Sequence, residues 1–254
     1  MKAALRAILL ILAFAAVAAT FGVHADAPKT RMVQFPAPDG TVSAFLALPA
    51  TRGKHPALVV IHEWWGLTDW VKGETEKFAQ QGYVALAVDL YRGKVTDDPM
   101  EAHELMRGLP DDRAVSDLEA AFNYLAARKD VQPNRIGSVG WCMGGGFSLQ
   151  LAIHEPRLAA CVVNYGALPT DNAELRQIHA PLLGNFGGLD RGITPDDVHA
   201  FEQRMTSLHK SVNVKIYADA GHAFENPTNV KGYRAADAAD SWTRMTVFLR
   251  RTLK

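Results

Sequence analysis

The chain has 254 residues, of which 48% are hydrophobic and 21% charged, with 27 basic side chains balanced by 27 acidic ones. Zero net charge supplies no field to gather nucleic acid or an anionic membrane, and no run of Lys and Arg supplies a local one, so a nucleic-acid partner is not expected. The length and apolar content suit one α/β domain with a filled core.

Residues 1–25 stand apart. Lys2 and Arg6 form a positive start, Ala7 to Ala19 form an apolar stretch, and Val23-His24-Ala25 offers small residues where a signal peptidase reads. This predicts a signal peptide cleaved after Ala25, leaving residues 26–254 as a single domain that is secreted or periplasmic. The alternative is an uncleaved anchor, but the apolar run is short for a membrane span. No stable membrane association is expected after cleavage.

From there, apolar runs alternate with amphipathic stretches. Thr41 to Leu48 alternates like a strand near a sheet edge. Ala57 to His62, Tyr83 to Val88, Arg135 to Val139, Ala159 to Asn164 and Pro181 to Phe186 are short continuous runs, with Val212 to Tyr217 weaker. Runs of this length between Gly, Pro or Asp read as strands buried on both faces. Asp97 to Asp112 reads as a polar surface excursion with a short helix. Val115, Leu118, Phe122 and Leu125 recur at helical spacing, and Pro195-Asp196-Asp197 opens a helix carrying Val198, Phe201, Met205 and Leu208. A final helix presents Trp242, Met245, Phe248 and Leu249. Alternation of this kind predicts a mostly parallel twisted sheet with helices on both faces.

Only two cysteines occur, Cys142 and Cys161. Cys161 lies in the apolar run Leu158 to Val163 and reads as a small buried hydrophobe, so no bridge is expected. Cys142 is different. Gly140-Trp141-Cys142-Met143-Gly144 follows a strand and precedes a helix expected to begin near Phe147. A nucleophile in such a strained strand-to-helix turn needs small neighbours, and the following helix aims N–H groups at it. The run lacks the lysine and spacing of a phosphate loop. Asp190 follows the Pro181–Phe186 strand, and His222 follows the Val212–Tyr217 strand. Sites in open α/β sheets form outside those carboxyl ends, and nucleophile, acid, histidine is the chain order of a hydrolase triad. A thiol attacks as thiolate, so His222 is the candidate base and Asp190 the group that orients it. Each residue alone also reads as an ordinary turn or loop residue; order and strand placement together favour catalysis.

These residues, with His62-Glu63-Trp64-Trp65-Gly66, Asp89-Leu90-Tyr91, Gly188-Leu189-Asp190 and Gly221-His222-Ala223-Phe224, resemble the dienelactone hydrolases (carboxymethylenebutenolidases) of the α/β-hydrolase fold. The resemblance runs from about Val33 to the end of the chain. It implies that Glu63 pairs with the resting Cys142 and yields when substrate arrives. It also implies that the N–H groups of Trp64 and Met143 form an oxyanion hole. Two departures stand out. The family reads Asp-Leu-Tyr-x-Arg where this chain places Arg92 directly after Tyr91, and it carries a second arginine where this chain has Asn226. Those two arginines hold the substrate carboxylate. Arg92, Asn226 and Trp65 are therefore the candidate substrate contacts, with Trp64 and Trp70 beside them, and neutral substrates are expected to serve as well as anionic ones.

His154, His179 and His199 lack metal-ligand spacing, so no metal or cofactor is expected. The expected activity is hydrolysis of a small carboxylic ester or lactone through a thioester acyl-enzyme. A thioesterase on the same triad is the near alternative, which a substrate panel separates. A thiol-redox protein lacks a resolving cysteine, and a non-catalytic binding module would not need an intact triad.

Overall fold

The computed structural model describes residues 27–254. The predicted signal peptide, 1–25, lies outside them. The described residues share one eight-stranded sheet in the order β1-β2-β4-β3-β5-β6-β7-β8. The strands are β1 Lys29–Ala37, β2 Gly40–Leu48, β3 His55–Ile61, β4 Val84–Val88, β5 Val131–Trp141, β6 Ala160–Asn164, β7 Leu182–Gly187 and β8 Val212–Tyr217. β1 and β2 run antiparallel to each other, β2 runs antiparallel to β4, and the other pairs are parallel. This is the mostly parallel sheet expected from the alternation of runs, and it agrees with the α/β-hydrolase fold that the family resemblance implies.

The middle strands are mostly apolar because both of their faces are covered. In β3, Ala57, Val59 and Ile61 enter one core while Leu58 and Val60 enter the other. Helices α3 (Asp111–Ala126), α4 (Met143–His154) and α6 (Pro195–Ser207) cover the first face, and α1 (Asp69–Gln80) and α7 (Ala235–Leu253) cover the second. Two short helices, α2 (Pro99–Arg107) and α5 (Asn172–Gln177), complete the set. The start of α6 is fixed by a capping box in which Thr194 and Asp197 satisfy each other's backbone N–H groups. Among the described residues no helix is long and apolar enough to cross a membrane.

Two local expectations are corrected. β1 was not expected, because this edge strand is mostly exposed and carries no continuous apolar run. The helix after Cys142 begins at Met143 rather than near Phe147, so Gly144, Gly145 and Gly146 lie inside it. The glycines are there for close packing. A Cβ on Gly144 would sit 2.4 Å from the carbonyl oxygen of Ile61, and one on Gly145 would sit 2.7 Å from that of Asn164. The first turn of α4 is therefore pressed against the ends of β3 and β6.

Candidate active site

β5 ends at Trp141 and α4 starts at Met143, leaving Cys142 alone to reverse the chain. It does so at φ 54° and ψ −119°, a conformation that L side chains rarely adopt. The surrounding backbone holds it there. The Cys142 N–H donates to the Asn164 carbonyl at 3.0 Å, and the Cys142 carbonyl accepts from Gly145 at 3.0 Å. Gly140 is indispensable to the turn, because a Cβ there would lie 1.9 Å from the Gly144 carbonyl oxygen. The half-buried Cys142 thus projects at the carboxyl end of the sheet.

β7 and β8 bring up Asp190 and His222, the other two residues of the candidate triad. Asp190 is 5% exposed, and its Oδ1 accepts from the N–H groups of Gly192 and Ile193 at 2.8 and 3.1 Å. Burial opposes its charge, but the bonds from His222 and these amides outweigh that and keep its carboxyl below the usual range. Its Oδ2 lies 2.7 Å from His222 Nδ1. The other ring nitrogen, Nε2, lies 3.1 Å from Cys142 Sγ. Burial also opposes an imidazolium at His222, yet the Asp190 and Cys142 contacts prevail and push it up to about 10. A histidine held this way takes a proton readily and keeps it for a leaving group.

Glu63 follows β3 and is 2% exposed. The expected pairing with resting Cys142 is replaced by a different one. Glu63 Oε2 accepts from Asn226 Nδ2 at 2.6 Å and Oε1 accepts from Tyr165 Oη at 3.4 Å, while Cys142 Sγ faces His222. Burial raises the Glu63 carboxyl to about 7 despite these donors. Asn226 in turn has its Oδ1 taken by the N–H and hydroxyl of Thr228, at 2.9 and 2.8 Å. Asn226 borders the cleft, but it acts first on Glu63. Next to Glu63, buried His62 donates from Nδ1 to the Glu63 carbonyl at 2.5 Å and accepts the Leu90 N–H at Nε2, 3.2 Å away. Burial keeps this histidine neutral, so it acts as a brace between two loops of the site.

Among the described residues, the N–H groups of Trp64 and Met143 donate to no protein acceptor. The Met143 side chain is held by Tyr91, whose hydroxyl reaches its Sδ at 3.2 Å. Trp64 and Trp65 pack edge to face with centroids 4.9 Å apart, and Trp70 packs the same way on Trp141 at 5.3 Å. All three of Trp64, Trp65 and Trp70, with Glu63, Cys142 and His222, line one cleft of about 1420 Å³.

Arg92 is a correction. The Asp89 carboxylate accepts the N–H groups of Tyr91 and Gly93, at 3.0 and 2.6 Å, and tightens a turn in which Arg92 takes φ 55°. Its guanidinium is sent back onto α3, where Nη2 bonds the fully buried Asp117 Oδ1 at 2.8 Å. It does not line the cleft.

Two contributors escaped the sequence reading. Tyr165, immediately after β6, places its hydroxyl on Glu63 and its ring edge against His222, with centroids 5.2 Å apart. Glu225, three residues beyond the histidine, accepts from Trp141 Nε1 at 2.8 Å and Ser241 Oγ at 2.6 Å, tying the histidine loop to the Cys142 turn and α7. An aromatic residue before a glycine at a strand's carboxyl end was the available signal for Tyr165. Nothing local marked Glu225. Cys161 lies buried in β6 with Sγ 3.4 Å from the Ser148 carbonyl, and both cysteines are free.

The description of the dienelactone hydrolase family matches residues 42–253. The chain belongs to the dienelactone hydrolase family. Relatives within and around the family agree along nearly the whole chain. A Methylorubrum extorquens protein provisionally named a carboxymethylenebutenolidase is 31% identical, over 91% of this chain and 84% of its own. A Bradyrhizobium protein provisionally named a 2-oxo-3-(5-oxofuran-2-ylidene)propanoate lactonase is 31% identical, over 82% of this chain and 88% of its own. The crystal structure of a Klebsiella pneumoniae protein, provisionally titled a dienelactone hydrolase, superposes with a TM-score of 0.81 at 27% identity. That superposition covers 89% of this chain and all of the other.

Proposed function

We propose that this protein hydrolyses carboxylic esters or lactones through Cys142, His222 and Asp190. The observation that carries the reading is the unbroken chain from Sγ to Nε2 and from Nδ1 to Oδ2, at 3.1 and 2.7 Å, on the wall of an open cleft. Names given to family relatives for carboxymethylenebutenolidase and lactonase activity support it.

In the first half-reaction, the Sγ proton passes to Nε2 of His222 and the sulfur attacks the carbonyl carbon as a thiolate. The carbonyl electron pair moves to oxygen, where the free N–H groups of Trp64 and Met143 receive it. The intermediate collapses, the C–O bond breaks, and His222 returns the proton to the departing alkoxide. A thioester on Cys142 remains. Water then gives its proton to Nε2 as its oxygen adds to the thioester carbon, the C–S bond breaks, and the sulfur recovers the proton. Asp190 keeps the imidazole oriented throughout, and Glu63, Tyr165 and Asn226 shape the wall beside it. Export on residues 1–25 belongs to this reading, placing the site outside the cytoplasm.

Purified protein, assayed across matched ester, lactone and thioester substrates, is expected to turn over at least the oxygen esters. Rapid-quench mass spectrometry is expected to catch the acylated Cys142. Cys142→Ala should reduce turnover on the order of 10⁴-fold or more with the circular dichroism spectrum retained. Undiminished hydrolysis by the folded variant would refute the triad, and turnover confined to thioesters would reassign the substrate.

A further inference from the structure

The cleft is larger than a small lactone requires. Its volume of about 1420 Å³ exceeds the roughly 300–1,000 Å³ of clefts that hold drug-sized ligands. Beyond Cys142 and His222 its lining continues through Trp64 and Trp65 to Met106 on α2, with Val95 and Val230 on two separate loops. Val95 is 54% exposed and Val230 86% exposed. One exposed valine is ordinary. Here both border the same cleft, and both are tied to the site. The residue after Val95, Thr96, donates its N–H to the Trp65 carbonyl at 3.1 Å. The residue before Val230, Asn229, donates from Nδ2 to the carbonyls of His222 and Ala223, each at 3.2 Å. Among the described residues nothing covers these valines, which stand as apolar surface on the cleft lining.

The charges on the lining point the same way. Glu63, Asp69, Asp97 and Glu101 face Lys72 and Lys231, and Lys72 is already paired with Asp69 at 3.0 Å. Arg92 is committed to Asp117. Among the described lining residues, a substrate arm bearing a carboxylate therefore meets more acids than available cations, and no guanidinium matches it.

Resting on the hydrolase reading above, we propose that the substrate is a neutral ester with an extended apolar arm, lying from Cys142 along Trp64, Trp65 and Met106 to the Val95 and Val230 lips. Covering those side chains removes apolar surface from water in proportion to arm length.

The test compares kcat/KM for the p-nitrophenyl esters of acetate, butyrate and octanoate. Full burial is worth up to about fourfold per methylene, and the open mouth reduces that to about twofold, so octanoate should exceed acetate by about 60-fold. Val95→Asp and Val230→Asp, both at exposed positions, should each lower the octanoate-to-acetate ratio by several-fold. A binding measurement separates the cleft from the chemistry. Tryptophan fluorescence of the Cys142→Ala protein should report tighter binding of methyl octyl ketone than of ethyl methyl ketone, by a similar factor. Tighter binding of the long ketone without hydrolysis of any ester would support the apolar track and remove the hydrolase reading. Ester hydrolysis with no gain from acetate to octanoate, equal affinities for the two ketones, or a ratio unmoved by both valine substitutions would overturn the proposal.

Discussion

Replacing Arg92 with alanine separates a substrate-binding arginine from a structural one. The Arg92 side chain is 28% exposed and bonds Asp117, whose side chain is wholly buried. Removing one partner of such a pair strands the other charge away from water, which costs roughly 3–5 kcal/mol. Arg113 remains near enough to act on Asp117 electrostatically, so the lower end applies, about 3 kcal/mol. For a domain of this size that lowers Tm by roughly 6–12 °C. Guanidinium unfolding followed by tryptophan fluorescence measures the loss. Burial already pushes the Asp117 carboxyl above its usual range. Without Arg92 it rises further, and a group raised in the native state favours folding most when protonated, so the deficit should narrow on acidification. Asp117→Leu added to Arg92→Ala should recover much of the stability, because no buried charge is then left alone. Meanwhile the ratio of kcat/KM for matched anionic and neutral lactones should stay within about twofold of the parent. A variant with full stability and a selective loss on the anionic lactone would refute the argument.

The buried carboxyls make the fold's stability fall as pH rises. Burial raises Glu63 to about 7 and Glu225 to about 8. Between their unfolded values and these folded ones the native state binds more protons, so these two carboxyls should lower the unfolding free energy from about pH 5 to about pH 8, and His222, raised to about 10, should carry the decline further. Glu225→Gln should remove up to one proton from that slope, read from urea midpoints at several pH values. An unchanged slope would mean that Glu225 does not titrate there. Glycine substitutions should divide by position. Gly140→Ala places a methyl 1.9 Å from the Gly144 carbonyl oxygen and should displace Cys142, lowering kcat by about 100-fold or more together with Tm. Gly73→Ala, with open space around its position in α1, should instead stabilise the protein by about 0.5–1 kcal/mol. Equal effects at the two sites would contradict the packing described for the Cys142 turn.

The sequence by itself determined the parallel sheet and the positions of Cys142, Asp190 and His222. Continuous apolar runs mark strands covered on both faces. A glycine-flanked reactive residue between strand and helix marks the turn, and acid and base at later strand ends must gather at one edge of the sheet. All of these signals are local, and each survives without knowledge of the partner. The tertiary structure decided what side chains distant in sequence do to one another. Glu63 meets Tyr165 and Asn226 across 102 and 163 residues, and Trp141 meets Glu225 across 84. Spacing along the chain carries no trace of those distances, because the strand order sets them. Arg92 illustrates the same limit over a short span. Its place one residue after Tyr91 was plain, but the direction of its side chain depended on a left-handed turn closed by Asp89 and on a buried acid waiting on α3. A buried, unpaired carboxylate is costly enough to claim the nearest guanidinium. That is why Arg92 serves the core and the cleft is left without an arginine from this position.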